Sequence, residues 1–341
     1  MLSYQHGFHA GNVADVLKHA VLCYVLDYMT QKDKPLYFHD VHAGRGLYDL
    51  THPIAQKTGE YREGIAALWP ATSLPVGLQP YLQTLHLFNE KGSLRFYAGS
   101  LLLAQTLLVQ KHKREHDRFF ASELHPQEYS ALCENTQSLA NVRVQKVDGY
   151  AALKAALPPK ERRAVVLIDP SYETQSDDAA VVDALTEALK RFATGVYLLW
   201  YPIVDAQRTK KMIKKITALP LKNLLQIELL VREPNGEGMA GSGMLVINSP
   251  WSLAAATIMP TQTRTGTKTR TATITTTLTI PMTTATSTPT TIRTTIRTKT
   301  TATRTPMTTR TTTRMTARMT TRTIAAAATT RTIMEIRTIC M

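Results

Sequence analysis

Apolar residues recur with two different spacings along the first 256 residues, and each spacing predicts one type of element. Over residues 13–28 the spacing is that of one buried helix face, and Asp15, Lys18 and His19 fall on or beside the polar side of that helix. Short apolar runs rich in β-branched residues instead predict buried parallel strands. Alternating strands and helices of this kind form a mainly parallel sheet that is covered on both faces.

The order of predicted elements indicates one large α/β domain. Strands are predicted at residues 35–41, 118–123, 142–148, 165–169, 195–200, 225–231 and 244–248, with helices at 125–136, 150–157 and 179–192. Residues 47 to about 98 break this alternation, because four prolines separate short helical patterns there. We interpret that segment as an inserted helical subdomain within a domain that covers residues 1–256.

The chain changes character after residue 256. Residues 257–341 contain 38 Thr in 85 residues, no aromatic residue and no Asp. Eleven Arg and two Lys against one Glu give this tail a net charge of +12, out of +14 for the whole chain. Such a composition does not bury enough apolar surface to offset the entropy of ordering, so we expect disorder. The tail is either a basic arm that binds nucleic acid or a misread, frameshifted end.

Cysteine usage and the N-terminus predict a cytoplasmic protein. The three cysteines are far apart and form no C-x-x-C pair, so they predict neither a disulfide framework nor a thiolate metal site. The first eleven residues lack a basic segment followed by an apolar core, so no signal peptide is predicted. The longest apolar runs are also far shorter than a membrane span.

Three acids each follow a predicted strand, and they predict a nucleoside site. Glu123, Asp148 and Asp169 are separated by 25 and 21 residues, which is one strand-helix unit each. In open α/β sheets the second strand end holds a ribose diol, which suits Glu123, and Asp148 suits an adenine amine. The sequence has no G-x-x-x-x-G-K-[ST] loop, and residues 42–46 are not G-x-G-x-x-G. A nucleoside without a polyphosphate is therefore predicted, which suits S-adenosylmethionine (SAM).

The stretch Asp169-Pro170-Ser171-Tyr172 ends the most apolar predicted strand and suggests chemistry on an amine. Pro170 does not donate to a sheet ladder, so the strand stops there. The Asp169 carboxylate and the Pro170 carbonyl can accept hydrogen bonds from an exocyclic amine, and the Tyr172 ring can stack on a base. Two acceptors on the adenine amine would favour its pyramidal, nucleophilic form. Taken alone, these four residues fit an ordinary turn after a strand equally well.

Together with further motifs, these residues resemble the bacterial 23S rRNA adenine-N6 methyltransferase J family over residues 1 to about 253. The motifs are Tyr4-x-His6-x-Phe8-His9-Ala10-Gly11-Asn12, Asp15-Val16-Leu17-Lys18-His19, Asp40-x-His42-Ala43-Gly44, Thr58-Gly59-Glu60-Tyr61, Gly99-Ser100, Glu123-Leu124-His125-Pro126, Asp148-Gly149, Ile168-Asp169-Pro170 with Tyr172-Glu173, and Leu199-Trp200-Tyr201-Pro202. Two departures from the family pattern stand out. Ser171 occupies the place of a second proline, and the tail replaces the normal end of the family.

The resemblance implies a Rossmann-like class I methyltransferase sheet with an inserted helical subdomain. It also implies SAM-dependent N6-methylation of a specific adenine in 23S rRNA, with Asp169 as the catalytic acid. Tyr4, Lys18 and Tyr172 are the candidate contacts to the RNA. The SAM contacts that it implies are His19, His42, Ser100, Glu123, Asp148 and Gly149. We expect a monomer without a metal that acts on an adenine in a loop or flipped out of its stack.

Three other functions remain open. Histidines near Asp40 suggest a metal-dependent hydrolase, although His39 and His42 are three apart at a strand end and do not share a face. Ser171 and the replaced end are compatible with a non-catalytic RNA-binding relative. Asp-Pro-x-Tyr alone also fits a DNA adenine methyltransferase. Candidate nucleic-acid contacts are the basic clusters at residues 111–114 and 160–163, and the helical face with Arg208, Lys211 and Lys215.

Overall fold

The computed structural model describes residues 5–139, 141–173, 176–232 and 238–256, and three strands in the tail. The helices are α1 Val13–Met29, α2 Pro53–Thr58, α3 Ile65–Leu68, α4 Gln79–Leu85, α5 Ser100–Gln105, α6 Pro126–Thr136, α7 Gly149–Ala156, α8 Ser176–Arg191, α9 Ala206–Thr217 and α10 Leu253–Ala256. The strands are β1 Tyr37–Asp40, β2 Leu47–Asp49, β3 Phe96–Ala98, β4 Arg118–Ser122, β5 Val142–Gln145, β6 Ala164–Ile168, β7 Val196–Ile203, β8 Leu224–Leu230, β9 Gly241–Ile247, β10 Thr271–Thr276, β11 Ile292–Lys299 and β12 Thr332–Ile339.

A mostly parallel sheet organises the domain. Its order within residues 5–256 is β5-β4-β1-β6-β7-β9-β8, in which the first five strands are parallel. β9 is antiparallel to both β7 and β8. Every residue of β6 is buried, as its continuous apolar run predicts for a central strand. The predicted Rossmann-like fold of class I methyltransferases is confirmed.

The order in which strands are added to the sheet reverses at β1, and this switch point creates a crevice at the carboxyl ends of the strands. From β1 the chain proceeds to β4 and β5 on one side, and it then crosses to β6 and β7 on the other. Asp40, the last residue of β1, is in register with Ala121 of β4 and Leu167 of β6. Glu123 and Asp169 each follow those partners by two residues. The register therefore brings three acids to the same edge of the sheet.

Helices cover both faces of the sheet. Side chains of α1, α5 and α6 share one core with β1, β4 and β6, and side chains of α7, α8 and α9 share the other. Twelve of the 17 residues of α1 are buried, including Asp15, Lys18 and His19. The polar side of α1, with Asp15, Lys18 and His19, is therefore covered by the rest of the fold. The helix packs between the sheet and α4, so tertiary contacts cover the side that the pattern left exposed.

Residues 47–98, the predicted insertion, form a separate layer of short elements. They contain α2, α3 and α4 with single 3₁₀ turns between them, and a two-stranded antiparallel sheet of β2 and β3. The strands of that small sheet were not predicted, since three residues are too few to show a period. The chain returns to the main sheet through α5, whose last turn continues as a π-helical segment, Thr106–Lys111.

Three segments of the tail extend the sheet beyond β8. β12 pairs antiparallel with β8, β11 pairs parallel with β12, and β10 pairs antiparallel with β11. The disorder expected for residues 257–341 from their composition stays a prediction. The other tail residues lie outside the described part of the chain, and so does Tyr4. For them the expectations stay predictions.

Deleting residues 257–341 should change the melting temperature by less than about 4 °C. The tail has no aromatic residue and a composition poor in core-forming side chains, and about 1 kcal/mol shifts the melting temperature of a domain of this size by roughly 2–4 °C. Thermal unfolding of the full-length and shortened chains measures the effect. A chain ending at residue 250 also loses the buried Leu253 and should melt lower. A drop of 10 °C or more on the first deletion would contradict the prediction.

Candidate active site at the switch point of the sheet

A buried lysine joins the first helix to the acid at the end of β6. The Lys18 Nζ atom lies 2.6 Å from Asp169 Oδ2 and 2.8 Å from Asp15 Oδ1. Only 5% of Lys18 is exposed. Burial favours the neutral amine, but the carboxylates of Asp15 and Asp169 outweigh it and hold the pKa of Lys18 well above its ordinary value. Lys18 is therefore a fixed cation that orients Asp169.

The N-terminal segment holds Asp15 in place. Asn12 caps α1 by accepting from the Asp15 amide at 2.9 Å, and Asp15 Oδ2 accepts from the Gly11 amide at 2.9 Å. His6 Nε2 lies 2.9 Å from the same oxygen. Burial alone would raise the pKa of Asp15, yet His6 and Lys18 hold it well below its ordinary value. His6, Asp15, Lys18 and Asp169 thus form one connected polar chain, which we call the α1 polar chain.

Tyr172 closes one side of the Asp169 turn. Its backbone φ is +52°, which is uncommon for a residue other than glycine. Its hydroxyl donates to the Trp200 carbonyl at 2.8 Å, and the two rings lie 6.0 Å apart. Burial raises the pKa of the Tyr172 hydroxyl well above its ordinary value, so the group remains a neutral donor. The ring is therefore anchored to β7 at the edge of the crevice, while Ser171 is exposed.

Asp40 is a fully buried acid that faces the centre of the crevice. Its Oδ2 accepts a hydrogen bond from the Ser100 hydroxyl, whereas its Oδ1 has no partner among the described residues. Burial raises the pKa of Asp40 to about 7, against the lowering effect of that hydrogen bond. The sequence placed Asp40 in a motif and beside possible metal-binding histidines, but Asp40 was not predicted to contact SAM. An acid that ends a buried strand was the available signal.

The carboxylate of Glu123 is bound by two backbone amides, which the sequence did not reveal. Its Oε2 accepts from the Gly44 amide and its Oε1 from the His125 amide, each at 2.8 Å. Gly44 has φ +62°, which L side chains rarely adopt, so glycine is suited to this turn. Burial raises the pKa of Glu123, and the backbone hydrogen bonds oppose that effect. Glu123 thus fixes the loop after β1 at the predicted position of the ribose.

Two predicted cofactor histidines are neutral, and of these His19 is buried and His42 is half-buried. His19 Nδ1 lies 2.7 Å from the Tyr97 hydroxyl, and the His42 ring packs edge-on against Tyr150 with a centroid distance of 5.1 Å. Burial lowers the pKa of His42 to about 4 and that of His19 well below its ordinary value. Neither His19 Nε2 nor His42 Nδ1 has a hydrogen-bond partner within the described chain. Both atoms are therefore able to bind a polar ligand.

Asp148 and Gly149 begin α7 beside the loop after β1. The exposed Asp148 caps the helix, since its carboxylate accepts from the Ala151 amide at 2.8 Å. A Cβ atom at Gly149 would lie 2.1 Å from the Val41 carbonyl oxygen, so only glycine fits. The start of α7 therefore approaches the β1 loop closely and extends the crevice toward β5.

The structure brings the described candidates to one edge of the sheet. They come from α1, α5, the strand ends of β1, β4 and β6, and the start of α7, and they are His19, His42, Ser100, Glu123, Asp148, Gly149, Lys18, Asp169 and Tyr172. Buried polar atoms without partners on His19, Asp40 and His42, together with the close approach at Gly149, suit a polar nucleoside ligand. Sequence reasoning missed Asp15, His6 and Asp40 as parts of this site.

The described residues contain neither a metal centre nor a membrane span. No group of three or more His, Cys, Asp and Glu side chains that could hold a metal ion occurs among them. His39 lies inside β1 with its Nε2 at 3.3 Å from the Ser122 hydroxyl, and burial lowers its pKa to about 3. In this part of the chain no helix has the length and apolarity needed to cross a membrane.

Two of the predicted basic clusters lie away from this edge. Residues 111–114 and 160–163 come just before β4 and β6, at the amino ends of those strands. Arg114 pairs with Asp117, with N–O distances of 2.6 and 3.0 Å, and Arg163 donates to backbone carbonyls of Met29 and Lys34. These two arginines therefore hold the opposite end of the domain together and do not border the crevice.

The Asp40→Asn substitution should remove a pH dependence of stability. With a pKa of about 7 in the folded protein against an ordinary 3.8, Asp40 binds more protons when folded. Stability should therefore fall as pH rises through this window, by at most about 4 kcal/mol at roughly 1.36 kcal/mol per pKa unit. The amide that replaces the carboxyl group cannot ionise, so the difference from wild type should grow from pH 5 to pH 8 in denaturant unfolding. The surface variant Asp183→Asn should keep the wild-type slope, and parallel curves for wild type and Asp40→Asn would refute the prediction.

Comparison with known proteins places this architecture in one family. The family profile for ribosomal RNA large subunit methyltransferase D, RlmJ, matches residues 33–265. The ribosomal RNA large subunit methyltransferase J of Escherichia coli is 48% identical over 254 residues, which cover 74% of this chain and 89% of that protein. The enzyme of the same name from Haemophilus influenzae is 46% identical over 269 residues, covering 78% and 94%.

A solved structure supports the same assignment. A crystal structure of a Legionella pneumophila protein has a TM-score of 0.67 and 37% sequence identity, and the match covers 72% of this chain and 89% of that one. The profile match, the identity to two named enzymes and the shared fold agree with the motifs. This chain therefore belongs to the RlmJ family of ribosomal RNA large subunit methyltransferases.

Proposed function

We propose that this protein transfers a methyl group from SAM to N6 of an adenine in large-subunit ribosomal RNA. The observation that carries the proposal is the Lys18–Asp169 contact at 2.6 Å, which fixes a carboxylate at the carboxyl end of β6. The two named relatives are ribosomal RNA large subunit methyltransferases. The motif around Asp169 is suited to an exocyclic amine, which supports adenine N6 as the acceptor.

The buried polar groups of the crevice would hold SAM. SAM, when bound, supplies an electrophilic methyl group. Glu123 is the candidate to accept from the ribose hydroxyls, and its backbone contacts fix where its carboxylate lies. His19, His42 and Asp40 each present a buried atom without a partner in the described chain. Asp148 and Gly149, at the start of α7, are the candidates beside the adenine moiety, and Ser100 acts through its hydrogen bond to Asp40.

Asp169 would act on the target amine as an oriented acceptor. Lys18 binds Asp169 Oδ2, and Oδ1 has no hydrogen-bond partner among the described residues. That second oxygen and the Pro170 carbonyl can accept the two N–H groups of the amine, which directs its lone pair toward the methyl group. Held in this way, Asp169 would orient and polarise the amine, and its carboxylate would accept the proton that N6 loses when the methyl group is transferred.

Tyr172 and the substrate complete the proposal. The Tyr172 ring, held by the Trp200 carbonyl, offers a flat apolar surface beside Asp169 on which a base can stack. A base inside a helix does not reach this crevice, so the adenine would come from a loop or be flipped out. Tyr4 remains a proposed RNA contact. The monomeric state and the cytoplasmic location also stay predictions.

Replacing Glu123 should weaken SAM binding while leaving the fold intact. A hydrogen-bonded charged contact is worth roughly 1.5–3 kcal/mol, so Glu123→Ala should raise the SAM dissociation constant about 10- to 100-fold in calorimetry. Since Glu123 also holds the Gly44 and His125 amides, Glu123→Gln keeps one acceptor and should lose less. Glu134→Ala, on the exposed face of α6, is the matched control. Unchanged SAM affinity in a folded Glu123→Ala protein would remove Glu123 from the site.

Replacing Asp169 should abolish methyl transfer but spare SAM binding. Asp169→Asn removes the negative charge that binds Lys18 and would polarise the amine. The single-turnover rate on large-subunit rRNA should therefore fall about 100-fold or more. SAM affinity should change less than about 3-fold, because Asp169 faces the acceptor base. Asp183→Asn on the surface of α8 should match wild type. Retained activity in Asp169→Asn would contradict the proposed role of Asp169.

A matched substrate comparison separates the remaining alternatives. Wild-type protein is incubated with labelled SAM and either an rRNA fragment or a DNA oligomer of the same sequence. Methyl transfer to RNA only, with N6-methyladenosine found by mass spectrometry, supports the proposal. Transfer to DNA alone would favour a DNA methyltransferase, and RNA binding without transfer would favour a non-catalytic relative.

A further inference from the structure

Helix α9 carries an exposed face of lysines. Lys210, Lys211, Lys214 and Lys215 are all exposed, whereas Met212 and Ile216 on the other side are buried in the core. The sequence of the helix, AQRTKKMIKKIT, contains no acid that could neutralise them. Residues three and four apart lie on the same side of a helix, so the four charges form one continuous stripe. We call these four residues the α9 lysine stripe.

The stripe has no ion pair within the described part of the chain. None of its four lysines lies within 4 Å of a described carboxylate, whereas Arg208 of the same helix forms two hydrogen bonds with Asp178, at 2.7 and 2.8 Å. Arg114 and Arg163, in the basic clusters at the opposite edge, are held by contacts within the protein. Like charges this close repel one another, so the four lysines destabilise the helix slightly until an anion binds beside them.

The position of α9 links the stripe to the proposed site. The helix begins just after the carboxyl end of β7, where Asp205 caps it by accepting from the Gln207 amide at 2.7 Å. Its first turns line a cavity of about 210 Å³ together with Tyr172, and Arg208, Thr209 and Met212 contribute to the wall. One side of α9 thus borders the turn that contains Asp169, while the other side displays the stripe.

We propose that the α9 lysine stripe binds the phosphate backbone of the RNA strand that flanks the target adenine. The inference rests on the proposed function and deepens it, because it assigns the surface that receives the substrate. A polyanion with evenly spaced charges matches four lysines along one helix side, and lysine binds phosphate as a point charge. The start of the helix lies beside Tyr172, so a strand on the stripe leads to the crevice. An acidic protein could also bind the lysines, but it has no base to stack on Tyr172, so RNA is the partner that fits both features.

The salt dependence of RNA binding by full-length protein tests the proposal. The stripe variant combines Lys210→Gln, Lys211→Gln, Lys214→Gln and Lys215→Gln. The control variant combines Lys32→Gln, Lys34→Gln, Lys113→Gln and Lys160→Gln, which are exposed lysines near the amino ends of the strands. Both variants lose the same net charge and both keep the basic tail. The probe is a large-subunit rRNA fragment at about 50–200 mM salt.

The expected result is specific to the stripe. For single strands, each phosphate contact makes the slope of log affinity against log salt more negative by about 0.7. The stripe variant lacks four such contacts, so its slope should be less steep than that of wild type by about 3. Over a fourfold change of salt this corresponds to a difference on the order of 50-fold in the loss of affinity. The control variant should keep a slope within about 1 of wild type. In methylation, the stripe variant should raise KM for RNA with little change in kcat or in SAM affinity.

Two outcomes would overturn the inference. Equal slopes for the stripe variant and wild type would show that the lysines do not contact phosphate. An equal reduction in both variants would show that only the total charge matters. Melting curves confirm that each variant is folded. The proposed function fails by a different result, namely no methyl transfer by wild type, while the binding slopes would still decide whether α9 receives RNA.

Discussion

The burial of the Lys18 charge between two carboxylates is the constraint on which the rest of the site depends. Placing an ion in the protein interior costs several kcal/mol, and the cost is offset only by well-placed partners. Lys18 has such partners at 2.8 Å in Asp15 and at 2.6 Å in Asp169. Losing one partner of such a buried group typically costs about 3–5 kcal/mol, so the helix and the strand end are fixed to one another. The catalytic candidate is therefore positioned by the first helix of the domain rather than by its own turn alone.

The same low-dielectric setting explains the pattern of protonation around Lys18. Burial keeps His19 and His42 neutral and raises the pKa of Asp40 to about 7, while Asp15, with two cationic or polar partners, has a lowered pKa. Charge is thus concentrated along the α1 polar chain. Nearby, His19 and His42 are uncharged, and Asp40 binds a proton near neutral pH. Neutral, buried donors and acceptors suit a ligand that must be held by hydrogen bonds, which is consistent with a nucleoside part of SAM.

Much of the fold and part of the site could be predicted from sequence, for reasons that differ by residue. The strands that lead to Asp40, Glu123 and Asp169 were predictable, because a buried parallel strand is a local apolar run and its end is marked by a polar residue or proline. The burial of Lys18 and His19 was not, since it comes from α4 and the sheet closing over α1. The bonds from Gly44 and His125 to Glu123 also join residues up to 79 apart in the chain. The paired tail strands likewise depend on long-range pairing that a Thr-rich composition does not reveal.

Ser171 stands where the sequence resemblance implies a second proline, and its two flanking positions are each held by contacts with another element. A proline would fix φ at this position and restrict the residue before it, so its absence suggests a looser turn. Yet Ser171 lies between two held positions. Two residues before it, Lys18 binds the Asp169 carboxylate at 2.6 Å, and one residue after it, the Tyr172 hydroxyl is bound to the Trp200 carbonyl at 2.8 Å. With both flanks fixed by separate elements, α1 and β7, the serine has little freedom left to displace either group. The substitution is therefore weak support for a relative that has lost catalysis.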